Sequence, residues 1–133
     1  MDVVIPFEES FDAVLGVRYT RAEDGSVSTA VAVERRLLQP YGLVHGGVYA
    51  AIAESLASAG TAFGVAASGK IALGEQNDTS FLRPIRSGTI HAVARPLHRG
   101  RTRWLWDVEM RDDDGRLCAV TRMTVAVRTP EGR

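Results

Sequence analysis

Residues 37–64 of the chain, LLQPYGLVHGGVYAAIAESLASAGTAFG, constrain the fold more than any other stretch. Apolar residues recur there with helical spacing, which predicts one long helix over about residues 46–64. The run contains no lysine, arginine or aspartate, and its single carboxylate, Glu54, sits near its middle. A solvated helix spreads charge along its outer face. At about 100° per residue, Val48, Tyr49, Ile52, Leu56, Ala59 and Phe63 gather within a third of the circumference and are expected to face a sheet. Glu54 falls opposite them, among Gly47, Ala50, Ser58 and Thr61. A face that small and uncharged suits a second protein surface, so a dimer is expected, with Glu54 at the interface or in a cleft beside it. A lone glutamate on an amphipathic helix is ordinarily a surface residue, and the missing companion charges argue against that here. A carboxylate held from water must be hydrogen-bonded, paired, or protonated. General bases and carboxylate nucleophiles occupy such places.

Around this helix the chain reads as strands. SFDAVLG suggests a short helix, and VRYTRAEDGSVSTAVAVERRLL suggests two strands about the Glu23-Asp24-Gly25 turn. After the long helix, KIALGEQNDTSFL, GTIHAVARPLH, TRWLWDVEMRD and RLCAVTRMTVAV predict three or four more strands, separated by RPIRSG, HRG and the hairpin signal DDDG. One helix against one antiparallel sheet is an α+β layer architecture. With 133 residues and no linker or repeat, a single domain over 1–133 is expected.

Several classes are disfavoured. The formal net charge is +0, whereas a nucleic-acid binder is usually plainly basic. The lone Cys118 cannot form an internal disulfide and reads as a small core residue. His45, His91 and His98 show no metal-ligand spacing, so no metal is expected. The N-terminus lacks a signal-peptide pattern. A carboxylate at the centre of residues 46–66 is costly in lipid. A cytoplasmic protein off the membrane is the expectation.

Charge is uneven along the chain, with eleven arginines against six acids from Arg83 onward. That asymmetry fits either ordinary surface or a site for an anionic ligand. His45-Gly46-Gly47 sits where the chain turns into the long helix. The first amides of a helix lack internal partners and lie at its positive end. The Gly46 N–H is therefore a candidate donor to a carbonyl oxygen gaining negative charge. His45 reads equally as a cap or a packed ring. Glu54 lies two turns on, about 12 Å along the axis, too far for both groups of one helix to reach the same carbonyl. Antiparallel packing of two such helices would set Gly46 of one subunit beside Glu54 of the other.

GLVHGGVYAAIAES followed by FLRPIRSGTIHAVARPLHRGRTRWLWDVEMRDDDGRLCAVTRMTVAV closely resembles the hotdog-fold acyl-CoA thioesterases, over roughly residues 14–128. More narrowly it is similar to the branch holding phenylacetate-pathway and Arthrobacter-type 4-hydroxybenzoyl-CoA thioesterases. The resemblance implies a hotdog fold, a long helix wrapped by an antiparallel sheet, in a homodimer or homotetramer with its site between subunits. It implies Glu54 as nucleophile or general base, Gly46 as the amide polarising the thioester carbonyl, and Gln39 as the active-site amide fifteen positions before Glu54. Ser58 matches a hydroxyl that positions water or the carboxylate, and its i, i+4 spacing from Glu54 agrees. His45 belongs to the same motif. For coenzyme A, which is part of the substrate and not a cofactor, Arg83, Arg101 and Thr102 match phosphate-contacting positions, for which guanidinium is suited; strand-edge decoration is the alternative. QNDTSF departs from the commoner NANHL-like stretch of such enzymes. Tyr49, Phe63, Phe81 and Trp104 are candidates for an aromatic pocket or for the core, mostly the core. The implied activity is hydrolysis of an acyl-CoA, aromatic acyl groups among the options. The alternatives are a non-catalytic acyl-CoA-binding protein and a hotdog dehydratase or hydratase.

Overall fold

Bulk sits on the sheet and small side chains sit on the helix, and that division sets the architecture of the computed structural model, which describes residues 3–131. The elements run α1 (Phe11–Leu15), β1 (Thr20–Arg21), β2 (Val27–Ala32), α2 (Gly46–Val65), β3 (Ile71–Phe81), β4 (Thr89–Arg99), β5 (Arg103–Arg111) and β6 (Leu117–Arg128). The six strands form one antiparallel sheet in the order β1-β2-β4-β5-β6-β3. The sheet wraps α2, which packs most heavily on β3 and β6. A long helix wrapped by one antiparallel sheet is the hotdog fold, α+β as expected.

Local chemistry explains the boundaries. Ser10 caps α1 by accepting from the Ala13 N–H, and Gly16 closes it in the left-handed region at φ 79°. The β5–β6 hairpin turns on Asp112, whose carboxylate accepts from the Asp114 and Arg116 N–H groups. Those bonds hold Asp112 below the usual carboxylate range, against a burial effect that pushes upward. Pro96, which cannot donate to a ladder, sits where the β4–β5 register slips between Pro96 and His98.

The face α2 presents to the sheet differs from the expected stripe. Val48, Tyr49, Ile52 and Leu56 are buried as anticipated, but so are Ala53, Ala57, Gly60, Thr61 and Val65. Phe63, expected inward, is 43% exposed, and Ala59 is half-buried. Thr61, expected beside Glu54, is fully buried instead. The reason lies across the interface. Trp106 lies on Gly60 and Trp104 on Gly64, each so close that a Cβ would overlap the indole. The two indoles stack with centroids 6.0 Å apart. The Trp106 Nε1–H donates to Thr61 Oγ1 at 2.8 Å, and Thr61 Oγ1 donates to the Ala57 carbonyl at 2.9 Å. A helix facing tryptophans must turn its smallest residues inward, a rotation that side-chain hydrophobicity alone does not predict.

By length and apolarity α2 and the turn after it, Gly46–Ser68, would span a membrane, yet in this fold the helix is the element the sheet wraps. Cys118 is fully buried, as expected of a core residue. β3 lies at the sheet edge, hydrogen-bonded to β6 on one side only, and its register slips between Gly74 and Gln76.

Candidate functional site

Five of the eight site residues expected from the sequence fall into two clefts, Gln39, Gly46 and Arg83 near the start of α2 and Glu54 and Ser58 along its middle. In the first, of about 420 Å³, Gln39, Gly46, Tyr49, Phe81 and Arg83 share a wall. The chain reaches this place through a tight turn. Gln39 N–H donates to Leu43 O at 2.7 Å, Gly42 stands at φ 83°, and the Gln39 side-chain oxygen accepts from the Tyr41 N–H. Val44 N–H donates to Ile85 O at 2.8 Å and His45 N–H to Leu37 O at 2.9 Å, tying this turn to the segment before β4. Any Cβ on Gly46 would lie 3.0 Å from the Phe81 ring, so glycine keeps the backbone open at that point.

His45 is a cap in this structure. Its Nδ1 accepts from the Gly47 N–H at 2.8 Å, satisfying one of the free amides at the helix start. Gly46, beside this cap, lines the first cleft. Tyr49 is 3% exposed, and burial pushes its phenol up to about 12.

The second cleft, about 790 Å³, runs between α2, α1 and β3. Glu54 and Ser58 line it together, one turn apart as their spacing requires. Glu54 is exposed within the single chain. Its carboxyl faces Gly74, where an added Cβ would stand 3.4 Å from Cδ. The β3 register shift begins at this glycine, an irregularity in the strand beside the candidate carboxylate. Asn77 Nδ2 donates to the Ala50 carbonyl at 2.9 Å, pinning β3 to the turn before Glu54. Thr79 Oγ1 donates to Asn77 Oδ1 at 2.7 Å and meets Thr121 Oγ1 at 2.8 Å. Its apolar lining is Phe11 with Ala50, Ala51, Ala59, Ala62 and Ala72.

One chain therefore keeps Gly46 and Gln39 apart from Glu54 and Ser58, as the helix rise demands. Arg83 joins the first cleft. Arg101 and Thr102 lie exposed in the β4–β5 turn, where the Thr102 carbonyl accepts from Val127 N–H at 2.9 Å. Of the four candidate aromatics, Tyr49 and Trp104 are core, while Phe63 and Phe81 are 43% and 59% exposed. A third hollow, about 380 Å³, lies by Gly60, Gly64 and Trp104, with Arg21 over the Phe63 ring and Arg99 over Trp104. It contains none of the expected catalytic groups.

Sequence reasoning missed Asp12, Tyr19 and Asn77, which line the Glu54 cleft. Asp12 carried a weak signal, an acid inside a short amphipathic turn with no basic neighbour on either side.

Comparison with known proteins gives the family. Residues 41–119, which include all of α2, match the Thioesterase superfamily. The proofreading thioesterase EntH of Klebsiella pneumoniae is 37% identical over 120 residues, covering 90% of this chain and 87% of that protein. The crystal structure of a mutant of thioesterase PA1618 from Pseudomonas aeruginosa has TM-score 0.86 and 37% identity, over 90% of this chain and 86% of that one. A mutant of thioesterase SAV0944 from Staphylococcus aureus has TM-score 0.83 and 28% identity, over 88% and 97% of the two chains. This chain belongs to the thioesterase superfamily and is a thioester hydrolase.

Proposed function

We propose that the protein hydrolyses an acyl-CoA at a site completed by two copies of the chain. The observation that supports this is the division of the candidate residues: Gly46 and Gln39 line one cleft and Glu54 another, on a helix flanked by an edge strand. Two copies paired through β3 bring their α2 helices together antiparallel, so that Gly46 and Gln39 of one meet Glu54 of the other. Further support comes from the relative SAV0944. A glutamine and a glutamate were each mutated to alanine in that chain, and they stand fifteen positions apart, as Gln39 and Glu54 do here (54 − 39).

In the reaction, the Gly46 N–H donates to the thioester carbonyl oxygen as it gains charge. Glu54 then acts in one of two ways. As nucleophile its carboxylate attacks the carbonyl carbon, the C–S bond breaks, the thiolate takes up a proton, and water hydrolyses the resulting anhydride. As general base it takes a proton from the water that attacks the same carbon, the C–S bond breaks, and the proton passes to the departing thiolate. Gln39 orients the thioester or the water, and Ser58 orients the carboxylate. Arg83 supplies a guanidinium to the CoA phosphates, with Arg101 and Thr102 as further contacts. No metal or redox group enters this scheme. The phenylacetate and 4-hydroxybenzoyl-CoA branch, a cytoplasmic location and a single-domain chain belong to the same reading.

The test is thiol release from hydroxybenzoyl-, phenylacetyl-, dihydroxynaphthoyl- and fatty acyl-CoA, with enzyme-only blanks because Cys118 is a free thiol that any unfolded protein would expose to the reagent. Glu54→Ala is expected to lower turnover by about a thousand-fold or more. Near-normal hydrolysis by that variant overturns the role of Glu54. Tight acyl-CoA binding with no release by the wild type identifies a binding protein instead.

A further inference from the structure

The hollow by Gly60, Gly64 and Trp104 lies across α2 from the Glu54 cleft, shares no residue with it, and serves no step of the catalytic scheme. Its volume, about 380 Å³, is within the range of small-molecule sites. Its buried floor is apolar, made of Val27, Gly60 and Trp104, and its exposed rim carries Arg21, Glu23, Phe63 and Arg99. The turn between β1 and β2 seats one of these arginines. Gly25 stands there at φ 88°, and a Cβ on it would overlap the Arg99 guanidinium. Arg99 Nη2 donates to the Asp24 carbonyl at 3.0 Å, and its Cζ lies 5.7 Å from the Trp104 ring centroid. Arg21 Cζ lies 4.2 Å from the centroid of Phe63, which Tyr19 meets edge-on. A guanidinium has five N–H donors. Among the described residues Arg99 commits one of them to the protein, Arg21 commits none, and neither arginine belongs to an ion pair.

We propose that this hollow is a second ligand site, separate from the catalytic one, for a monocarboxylic acid with an apolar body. Two arginines against Glu23 leave one net positive charge on the rim (2 − 1). One carboxylate matches that balance, and a multiply charged nucleotide does not. The carboxylate pairs with the uncommitted N–H donors of Arg21 and Arg99, a geometry guanidinium suits. The apolar body displaces water from Val27, Trp104 and the exposed Phe63 ring. Thioester hydrolysis releases a carboxylic acid, so the enzyme meets this class of ligand at every turnover. Binding in the hollow does not depend on the catalytic residues.

The experiment titrates the isotope-labelled full chain with hexanoate, hexanol and coenzyme A while amide and indole N–H resonances are followed by NMR. Hexanoate is expected to shift the Trp104 indole N–H and the amides of Gly25, Gly60 and Gly64, saturating below about 10 mM. Hexanol should need about ten-fold more, because it shares the apolar body and lacks the charge. Coenzyme A should leave this set of resonances in place. Arg21→Gln and Arg99→Gln should each raise the hexanoate midpoint about ten-fold, while Glu54→Ala should hold it within two-fold. Should Arg99→Gln disturb the Gly25 turn, Arg21→Gln alone decides, since that side chain is exposed and bonds to nothing in the protein. Equal midpoints for hexanoate and hexanol, or a midpoint unmoved by the arginine variants, mean that the guanidiniums only pack on the rings and overturn the proposal. Shifts confined to residues of the Glu54 cleft, or none up to that concentration, overturn it too. Thiol release from acyl-CoA is measured separately, so each of these failures leaves the thioesterase standing.

Discussion

The two faces of α2 are made from the same few small residues, and they do opposite things. Gly60, Thr61 and Ala57 on one face are closed against Trp106, with each polar atom of that cluster satisfied by another. Ala50, Glu54 and Ser58 on the other face line an open cleft and leave a carboxylate exposed. Small side chains permit close approach in the first case and leave space in the second. What distinguishes them is the partner: an indole packed directly on the helix on one side, and an open cleft bounded by α1 and β3 on the other.

If this contrast is right, the faces should separate activity from stability. Glu54→Ala should show the largest effect, the loss of about a thousand-fold or more in turnover, while moving unfolding stability by less than about 0.5 kcal/mol. A large loss of stability would place Glu54 in the structural half of the helix. Gly60→Ala should do the reverse. Its methyl overlaps Trp106 and Val27, which costs about 2–3 kcal/mol in chemical denaturation even after the helix propensity gained. Thr61→Val keeps the shape but strands the buried Trp106 N–H, and should cost about 1–2 kcal/mol with KM unchanged. His45→Ala tests the boundary between the faces. As a cap alone it costs about 1 kcal/mol with turnover intact; a turnover loss beyond ten-fold would move His45 into the chemistry.

Much of this was legible in the chain. The helix expected over 46–64 is Gly46–Val65, and four strands follow it where β-branched alternation and turn signals stand. Glu54 was legible because charge is otherwise missing from the run. The inward face was not, because periodicity weighs hydrophobic bulk, and here the bulk belongs to Trp104 and Trp106 on β5. Phe63 drew the expected stripe toward itself and away from Thr61. The Asp12–Ser55 contact in the Glu54 cleft was equally hidden. Its members meet only after α1 folds back over α2, joining positions 43 residues apart. A hydrogen bond of that span leaves no periodic trace.

The pairing of Trp104 and Trp106 with glycine turns also gives the molecule a built-in optical reporter. These are its only two tryptophans, and both sit where α2 docks onto the sheet, on the side of the helix away from Glu54. Their emission therefore follows the seating of the helix and stays blind to events at the carboxylate. A thioester filling the Glu54 cleft should leave the spectrum almost unmoved, while any loosening of α2 should shift it to the red. Structural integrity and turnover can thus be followed in one cuvette on separate channels, with no label added.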